Sequence, residues 1–238
     1  MEQDRTASRV QELAALYEIE VTDSQAQLLV RHLELVEEVN KQFNLTRIVS
    51  QDDAVVLHIL DSLLLVKYMN QSPLPFLDFG TGAGYPGIPL GIMSGREGLL
   101  LDSVGKKVKA VQSFISQLGL SNLEAVQDRV ESLATNRPKA FSFITARAVA
   151  SLPVLVEYAA PLLSHNGILC VSKGKPSAEE VERGDAAAGI CGLKRLSLDT
   201  LQLPCDYGTR TIICYQKVRK PRVALPRAIG KAKHEPLA

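Results

Sequence analysis

The sequence predicts an α/β protein built on a seven-stranded mixed sheet, with a helical extension ahead of it. Three observations carry that prediction. The short apolar run Phe76-Leu77-Asp78-Phe79 breaks into four glycines within eight residues, Gly80, Gly82, Gly84 and Gly87. Strand-length apolar runs then alternate with segments of helical period. The last two strand-like runs are joined by a short linker with no crossover helix, which makes them an antiparallel pair at a sheet edge.

The glycine-rich stretch organises the rest. Phe76 to Phe79 reads as a buried strand. The glycines that follow allow a tight turn in which backbone N–H groups approach a ligand closely, because no Cβ stands in the way. Pro86 suits the first turn of a helix, where a missing N–H costs nothing. Strand, turn and helix start together form the nucleotide-binding corner of a doubly wound sheet. Two patterns fit the corner. Gly82-x-Gly84-x-x-Gly87 matches a dinucleotide fingerprint, and Asp78-x-Gly80-x-Gly82-x-Gly84 matches the first motif of S-adenosylmethionine methyltransferases.

Composition narrows the class. At 238 residues the chain is one large domain, or a domain with an extension. No apolar stretch reaches membrane-spanning length and the polar start, Met1 to Ser8, lacks a signal-peptide core, so a cytoplasmic protein with no membrane partner is expected. Cys170, Cys191, Cys205 and Cys214 form no CxxC pair and have no histidine at metal spacing; buried thiols and no metal are expected. The net charge of +1 is unevenly placed. From Lys217 onward the balance is +6, on a body of −5, a footprint of an anionic partner. We therefore expect the basic tail, residues 219–238, to face an anionic partner.

Taken in order, helices are expected near Thr6 to Tyr17 and Ser24 to Phe43, the second entered through a Thr22/Gln25 capping box. His32 on that helix reads as structural. Asn44-Leu45-Thr46-Arg47-Ile48 breaks the pattern, and a helix from about Asp52 to Asn70 carries His58, Asp61 and Ser62. Gln71 to Pro75 reads as a linker, which divides an N-terminal helical extension (1–72) from the main domain (73–218). A short helix, Ile88 to Met93, leads to a second strand, Leu99 to Asp102. Asp102 at its end is placed to accept hydrogen bonds from ribose hydroxyls. An amphipathic helix closed by Gly119 follows, then strands Asn122 to Gln127 and Phe141 to Thr145, a helix from Ser151 to Leu163, and a fifth strand, Ile168 to Ser172. Arg195 to Leu201 and Arg210 to Gln216 close the sheet.

This is the layout of a class I S-adenosylmethionine-dependent methyltransferase, a Rossmann-like fold whose closing hairpin replaces the second half of a dinucleotide enzyme. With those residues in hand the chain resembles the RsmG family, the bacterial small-subunit rRNA methyltransferases formerly called glucose-inhibited division protein B. The resemblance runs through Asn44-Leu45-Thr46, His58-Ile59-Leu60-Asp61-Ser62, Asp78 to Leu90 and Leu101 to Lys107. It continues in Arg129-Val130-Glu131, Arg147-Ala148-Val149-Ala150, Lys173-Gly174, Arg210 and the tail Leu225-Pro226-Arg227 … Pro236-Leu237. It implies methyl transfer from S-adenosylmethionine to N7 of a guanosine in the 530 loop of 16S rRNA, within a small-subunit particle or precursor. It implies a cofactor site of Gly80, Gly82, Gly84, Tyr85, Asp102 and Ser103, with Val130 and Glu131 around adenosine and Arg147 at the pocket. It also allows the Leu225-Pro226-Arg227 stretch to dock on the body. The chain departs from many members at Lys107, usually Arg, and at Tyr85, often Phe or Leu, whose hydroxyl needs a polar outlet.

The chemistry needs no named catalytic residue. Guanine N7 offers an in-plane lone pair and no proton, so positioning carries most of the rate. Pro204-Cys205 resembles the dipeptide of cytosine-C5 enzymes, but it falls in the late strand region, where a packed thiol is expected. Two other readings remain: a small-molecule methyltransferase, and an RNA-binding protein that holds the cofactor without catalysis.

Overall fold

The computed structural model describes residues 2–48, 50–69, 72–147 and 149–238. Asn70, Gln71 and Ala148, parts of an expected helix end, linker and motif, lie outside them. Seven strands form one sheet in the order β3-β2-β1-β4-β5-β7-β6. They are β1 (Phe76–Phe79), β2 (Gly98–Asp102), β3 (Leu123–Gln127), β4 (Phe141–Arg147), β5 (Leu163–Lys173), β6 (Leu193–Gln202) and β7 (Thr209–Lys217). The first five are parallel, and β7 runs antiparallel to both β5 and β6. The chain reverses its strand order beside β1, and the crevice there, at the carboxyl ends of β1 and β4, is where such sheets bind ligands.

Alternation along β1 serves two faces. Phe76 packs into one core, whereas Leu77 and Phe79 pack into the other. Helices α1 (Glu2–Ala15), α2 (Asp23–Asn40), α5 (Gly87–Ser94) and α6 (Gly105–Gln117) cover the first face. Between α2 and α5, α3 (Gln51–Ala54), a π-helical stretch (Val55–Leu60) and α4 (Asp61–Leu63) run on as one helical segment. Helices α7 (Val130–Asn136), α8 (Leu152–Ala159), α9 (Ala178–Cys191) and the short α10 (Lys231–His234) serve the second face. The N-terminal helices share one hydrophobic cluster with Phe76, Leu100, Phe143 and Cys170 of the sheet, so the expected division at residue 72 does not separate two cores.

The capping box closes both ways: Thr22 Oγ1 accepts from Gln25 N at 3.3 Å, and Gln25 Oε1 accepts from Thr22 N at 3.0 Å. The helix expected over 52–70 is interrupted. It widens to π-helical at Val55–Leu60 and ends in a separate 3₁₀ turn, Val66–Tyr68. Strand β5 starts earlier than its apolar run, because Leu163 already pairs with Phe141; the chain then bulges through 164–167, with Asn166 at φ +61, and pairing resumes at Ile168 opposite Phe143. Helix α9 has no strand-like or aliphatic stripe to announce it. Its buried face is Gly184, Ala187, Ala188 and Cys191, and a Cβ on Gly184 would stand 2.9 Å from Leu152 Cβ. Three cysteines are buried as expected, but Cys205 is exposed, at φ +54 in the β6–β7 turn, so the packed thiol expected there is corrected.

The tail is also docked. Lys217 is buried with Nζ donating to Cys191 O at 2.8 Å, and Arg219 donates to Gly189 O at 2.8 Å. Arg227 meets Glu157 of α8 through two N–H···O bonds of 2.6 Å. Glu157 is 3% exposed, so this pair is part of the fold rather than of a solvated terminus.

Candidate functional site

The β1–α5 turn has the backbone that its glycines allow: Gly80, Gly82 and Gly84 take φ +73, +60 and +90. Two carboxylates hold it. Asp78, fully buried at the end of β1, accepts from Gly87 N at 2.9 Å and so ties the far side of the turn to the strand. Asp102, at the end of β2, accepts from Gly82 N at 3.0 Å through Oδ2 and from Val104 N at 2.9 Å through Oδ1. Each of its oxygens keeps a second lone pair for a ligand hydroxyl. Pro86 stands one position ahead of α5, as its N-cap, after a cis peptide bond.

Burial pushes the Asp78 carboxyl up to about 6, against the opposing pull of the Thr81 hydroxyl and the Gly87 N–H. A carboxyl raised in the folded state helps stability at low pH and loses that contribution as pH climbs from its unfolded value toward 6. Asp78→Asn keeps an acceptor for Gly87 N–H and removes the buried charge. The variant should therefore gain about 3 kcal/mol on the parent between pH 4 and pH 7. Urea unfolding of both proteins across that range checks it, and a difference that does not change with pH would refute the assignment.

Two pockets flank the turn. The first is lined by Phe79, Gly80, Leu101, Asp102, Ser103, Asp128, Arg129, Val130, Glu131, Val149, Tyr158 and Lys233. It brings together five of the residues expected at a cofactor, Gly80, Asp102, Ser103, Val130 and Glu131. The sequence reading missed Tyr158 and Lys233, which arrive from α8 and the tail and carry no local motif.

The second pocket holds Arg147, expected at the cofactor, in another setting. Ile48, Leu57, His58, Asp61, Arg147, Ser172, Lys173, Gly174 and Arg210 line it. Arg147, at the end of β4, donates from Nη1 to Leu57 O at 2.9 Å and to Asp61 Oδ2 at 3.1 Å. Arg210 Nε approaches the same Oδ2 at 3.1 Å, and Ser172 Oγ donates to Asp61 Oδ1 at 3.0 Å. Asp61 is 3% exposed, so one buried carboxylate holds two cations at the pocket wall. His58 and Asp61 thus meet through Arg147 rather than as a local helix pair.

The tautomer of His58 follows from its partners. A guanidinium only donates, so His58 Nδ1 accepts from Arg147 Nη2 at 3.2 Å, and Nε2–H donates to Thr46 Oγ1 at 2.9 Å. Burial and the Arg147 charge push the imidazole down to about 3, which keeps it neutral. Thr46 is itself fixed by Asn40 Oδ1, which accepts from Leu45 N and Thr46 N at 2.8 and 3.0 Å. The N-terminal extension therefore orients the arginine of β4.

Tyr85 joins the turn to this cluster. Its ring stacks on His58 at 4.5 Å and 9°, lies 4.4 Å from His32, and has the Arg147 guanidinium 5.7 Å from its centroid. His32 Nε2 lies 3.0 Å from Ala83 O; a carbonyl only accepts, so Nε2 carries the proton, and burial pushes this imidazole to about 3 as well. His32 is a buttress of the turn, as its isolation in the sequence suggested. The buried Tyr85 hydroxyl has no hydrogen-bond partner among the described residues. Among the described residues, no group of three or more His, Cys, Asp or Glu could hold a metal ion, and no helix is long and apolar enough to cross a membrane.

Comparison with known proteins places this geometry. A family model described as rRNA small subunit methyltransferase G matches residues 25–210. The chain is similar to the ribosomal RNA small subunit methyltransferase G of Carboxydothermus hydrogenoformans, 33% identical over 226 residues, 94% of this chain and 96% of that one. The protein of the same name from Deinococcus radiodurans is 37% identical over 211 residues, covering 87% and 83%. Among solved structures, an Aquifex aeolicus SAM-dependent methyltransferase aligns with a TM-score of 0.55 at 16% identity, over 77% of this chain and 98% of that one. M. jannaschii TYW2 in complex with AdoMet aligns at 0.55 and 14%, over 71% and 77%. These structural matches establish the class I methyltransferase fold. Sequence matches this extensive go further: the chain belongs to the rRNA small subunit methyltransferase G family.

Proposed function

We propose that the chain methylates N7 of a guanosine in the 530 loop of 16S rRNA, presented within a small-subunit particle or its precursor. S-adenosylmethionine is the cofactor, and when bound it supplies an electrophilic methyl group on a sulfonium. The first pocket suits it. Gly82 has no atom nearer than Gly80 O, 3.9 Å from where a Cβ would stand, so its backbone is open to a ligand. Gly80, Gly82, Asp102, Ser103, Val130 and Glu131 would hold the cofactor, with Asp102 accepting from ribose.

The observation that carries the N7 assignment is the state of the second pocket. The charge of Asp61 is taken by Arg147 and Arg210, and His58 is neutral with both ring nitrogens engaged. Neither group is set up to take a proton, and N7 has none to give. The arginines retain donors, however. Arg147 keeps Nε–H and one Nη2–H, and Arg210 keeps its Nη2 hydrogens, without partners among the described residues. Such donors fit phosphate and base oxygens of an extruded nucleotide. The pocket's work is positioning, which can lower a barrier by up to ~7–11 kcal/mol.

Labelled S-adenosylmethionine with 30S particles from a strain lacking the enzyme, followed by nucleotide mapping, tests the proposal. One labelled guanosine in the 530 loop is the expected result. Label elsewhere, or on a metabolite in place of RNA, would overturn it. Naked 16S rRNA run in parallel decides whether the particle is required.

A further inference from the structure

The C-terminal segment crosses the Val130–Glu131 side of the first pocket. Three contacts put it there. Arg227 is clamped by the buried Glu157 through bonds of 2.6 Å, and its Nη2 also donates to Glu235 O at 2.6 Å, which closes the segment on itself. Gly230 N donates to Glu131 Oε1 at 2.8 Å. Lys233, on the helical turn α10 between those anchors, lines the pocket with Asp102, Asp128 and Glu131. Ala232 beside it is 3% exposed, packed in the core of the second sheet face. The segment therefore has a buried apolar anchor, a buried ionic anchor and a hydrogen bond to a pocket carboxylate. Lys233 itself is exposed and, among the described residues, has no ion-pair partner within 4 Å.

We propose that Lys233 is a cofactor-contacting residue and that residues 225–235 form the outer wall of the adenosine pocket, so that cofactor binding and docking of the tail favour each other. Glu131 makes the coupling physical, because one side chain lines the pocket and holds the tail backbone. A ligand resting against Glu131 and Lys233 gains contacts only in the docked state. By linkage, it must then stabilise docking by the same factor that docking raises its affinity. The +6 balance of the tail is thereby divided. Lys217, Arg219 and Arg227 serve the fold, Lys231 lies 3.7 Å from Glu235 of the same segment, Lys233 serves the cofactor, and Lys220 and Arg222 are left for RNA. On this reading the tail serves the cofactor as well as an anionic partner.

The inference rests on the first pocket being the cofactor site, and the experiment separates the two. Binding of S-adenosylhomocysteine is measured by calorimetry on the full-length chain, its Lys233→Ala and Lys233→Arg variants, and Gly82→Val. Amide hydrogen exchange of residues 225–235 is followed with and without saturating ligand. Lys233→Ala should weaken binding roughly three- to tenfold at unchanged melting temperature, with Lys233→Arg close to the parent. Ligand should slow tail exchange in the parent by about tenfold, and less in Lys233→Ala. Parental affinity in Lys233→Ala, or tail exchange indifferent to ligand, overturns the proposal. If Gly82→Val alone then loses binding, the cofactor site stands without its tail wall. If Gly82→Val also binds normally, the site assignment itself is wrong.

Discussion

Gly82→Val is expected to remove cofactor binding from a protein that still folds. The three positive-φ glycines of the turn differ in what a side chain would meet. A Cβ on Gly80 would stand 2.5 Å from Val149 Cγ2, and one on Gly84 would stand 2.7 Å from Ile88 Cδ1 and 3.1 Å from His32 Nε2. Substitution there strikes protein first and confounds binding with folding. At Gly82 the nearest atom is 3.9 Å away, so the added side chain enters the space kept for a ligand. The φ of +60 still carries a backbone penalty of about 1–2 kcal/mol for an L-residue. Gly95 supplies the control. It has φ +64 and nothing within 4 Å, at the far end of α5, so Gly95→Val should carry the same strain without touching the pocket. Affinity for S-adenosylhomocysteine should fall by more than about 100-fold, or ~2.7 kcal/mol, in Gly82→Val and stay within twofold in Gly95→Val. Equal affinities in the two variants would contradict a cofactor lying against the turn.

The contrast among those glycines shows what could be read from the sequence. Strand β1, its turn and Asp102 at the end of β2 were legible because each is written locally. An apolar run of strand length, glycines where φ must be positive and an acid at a strand end all leave their marks within a few residues. The closing hairpin was legible for the same reason, since its linker is too short for a crossover. Helix α9 was not, because its buried side is made of Gly184, Ala187 and Ala188, and close packing of small residues leaves no hydrophobic period. The second pocket was only half legible. His58, Asp61, Arg147, Lys173 and Arg210 each stood out through the family resemblance. Yet that one carboxylate unites two arginines from β4 and β7 is a fact of topology, with Arg147 lying 86 positions from Asp61. Tail docking was open only through the resemblance at Leu225-Pro226-Arg227, and its partner was not legible at all. A basic run looks alike whether its arginine meets solvent, phosphate or a buried Glu157.

Asp61 is where the largest loss of function without loss of the cofactor is expected. It is the hub of the second pocket, with Oδ2 shared by Arg147 Nη1 and Arg210 Nε and Oδ1 taken by Ser172. Asp61→Asn preserves shape but removes the charge that holds two guanidiniums together. Arg147 and Arg210 are only 15% and 18% exposed, so water cannot replace the lost carboxylate fully. Removing one partner from such a buried ion group typically costs about 3–5 kcal/mol, because the charges left behind are uncompensated. The arginines should then swing apart toward solvent, and the His58–Tyr85 stack should lose the Nη2 contact that orients it. Methylation of 30S particles should fall at least 100-fold, about 2.7 kcal/mol in transition-state stabilisation, while S-adenosylhomocysteine affinity changes less than threefold. Because this variant risks unfolding at assay temperature, Arg210→Lys is run beside it. Lysine keeps the charge next to Asp61 but gives up the planar fork, so the protein should stay folded and lose methylation through positioning alone. Calorimetry, urea unfolding and single-turnover methylation distinguish these effects. Should Arg210→Lys methylate at the parental rate, the donors of that arginine do not hold the nucleotide. Should both variants lose cofactor affinity in proportion to activity, the two pockets are one site, and the division of labour across the Tyr85 turn is wrong.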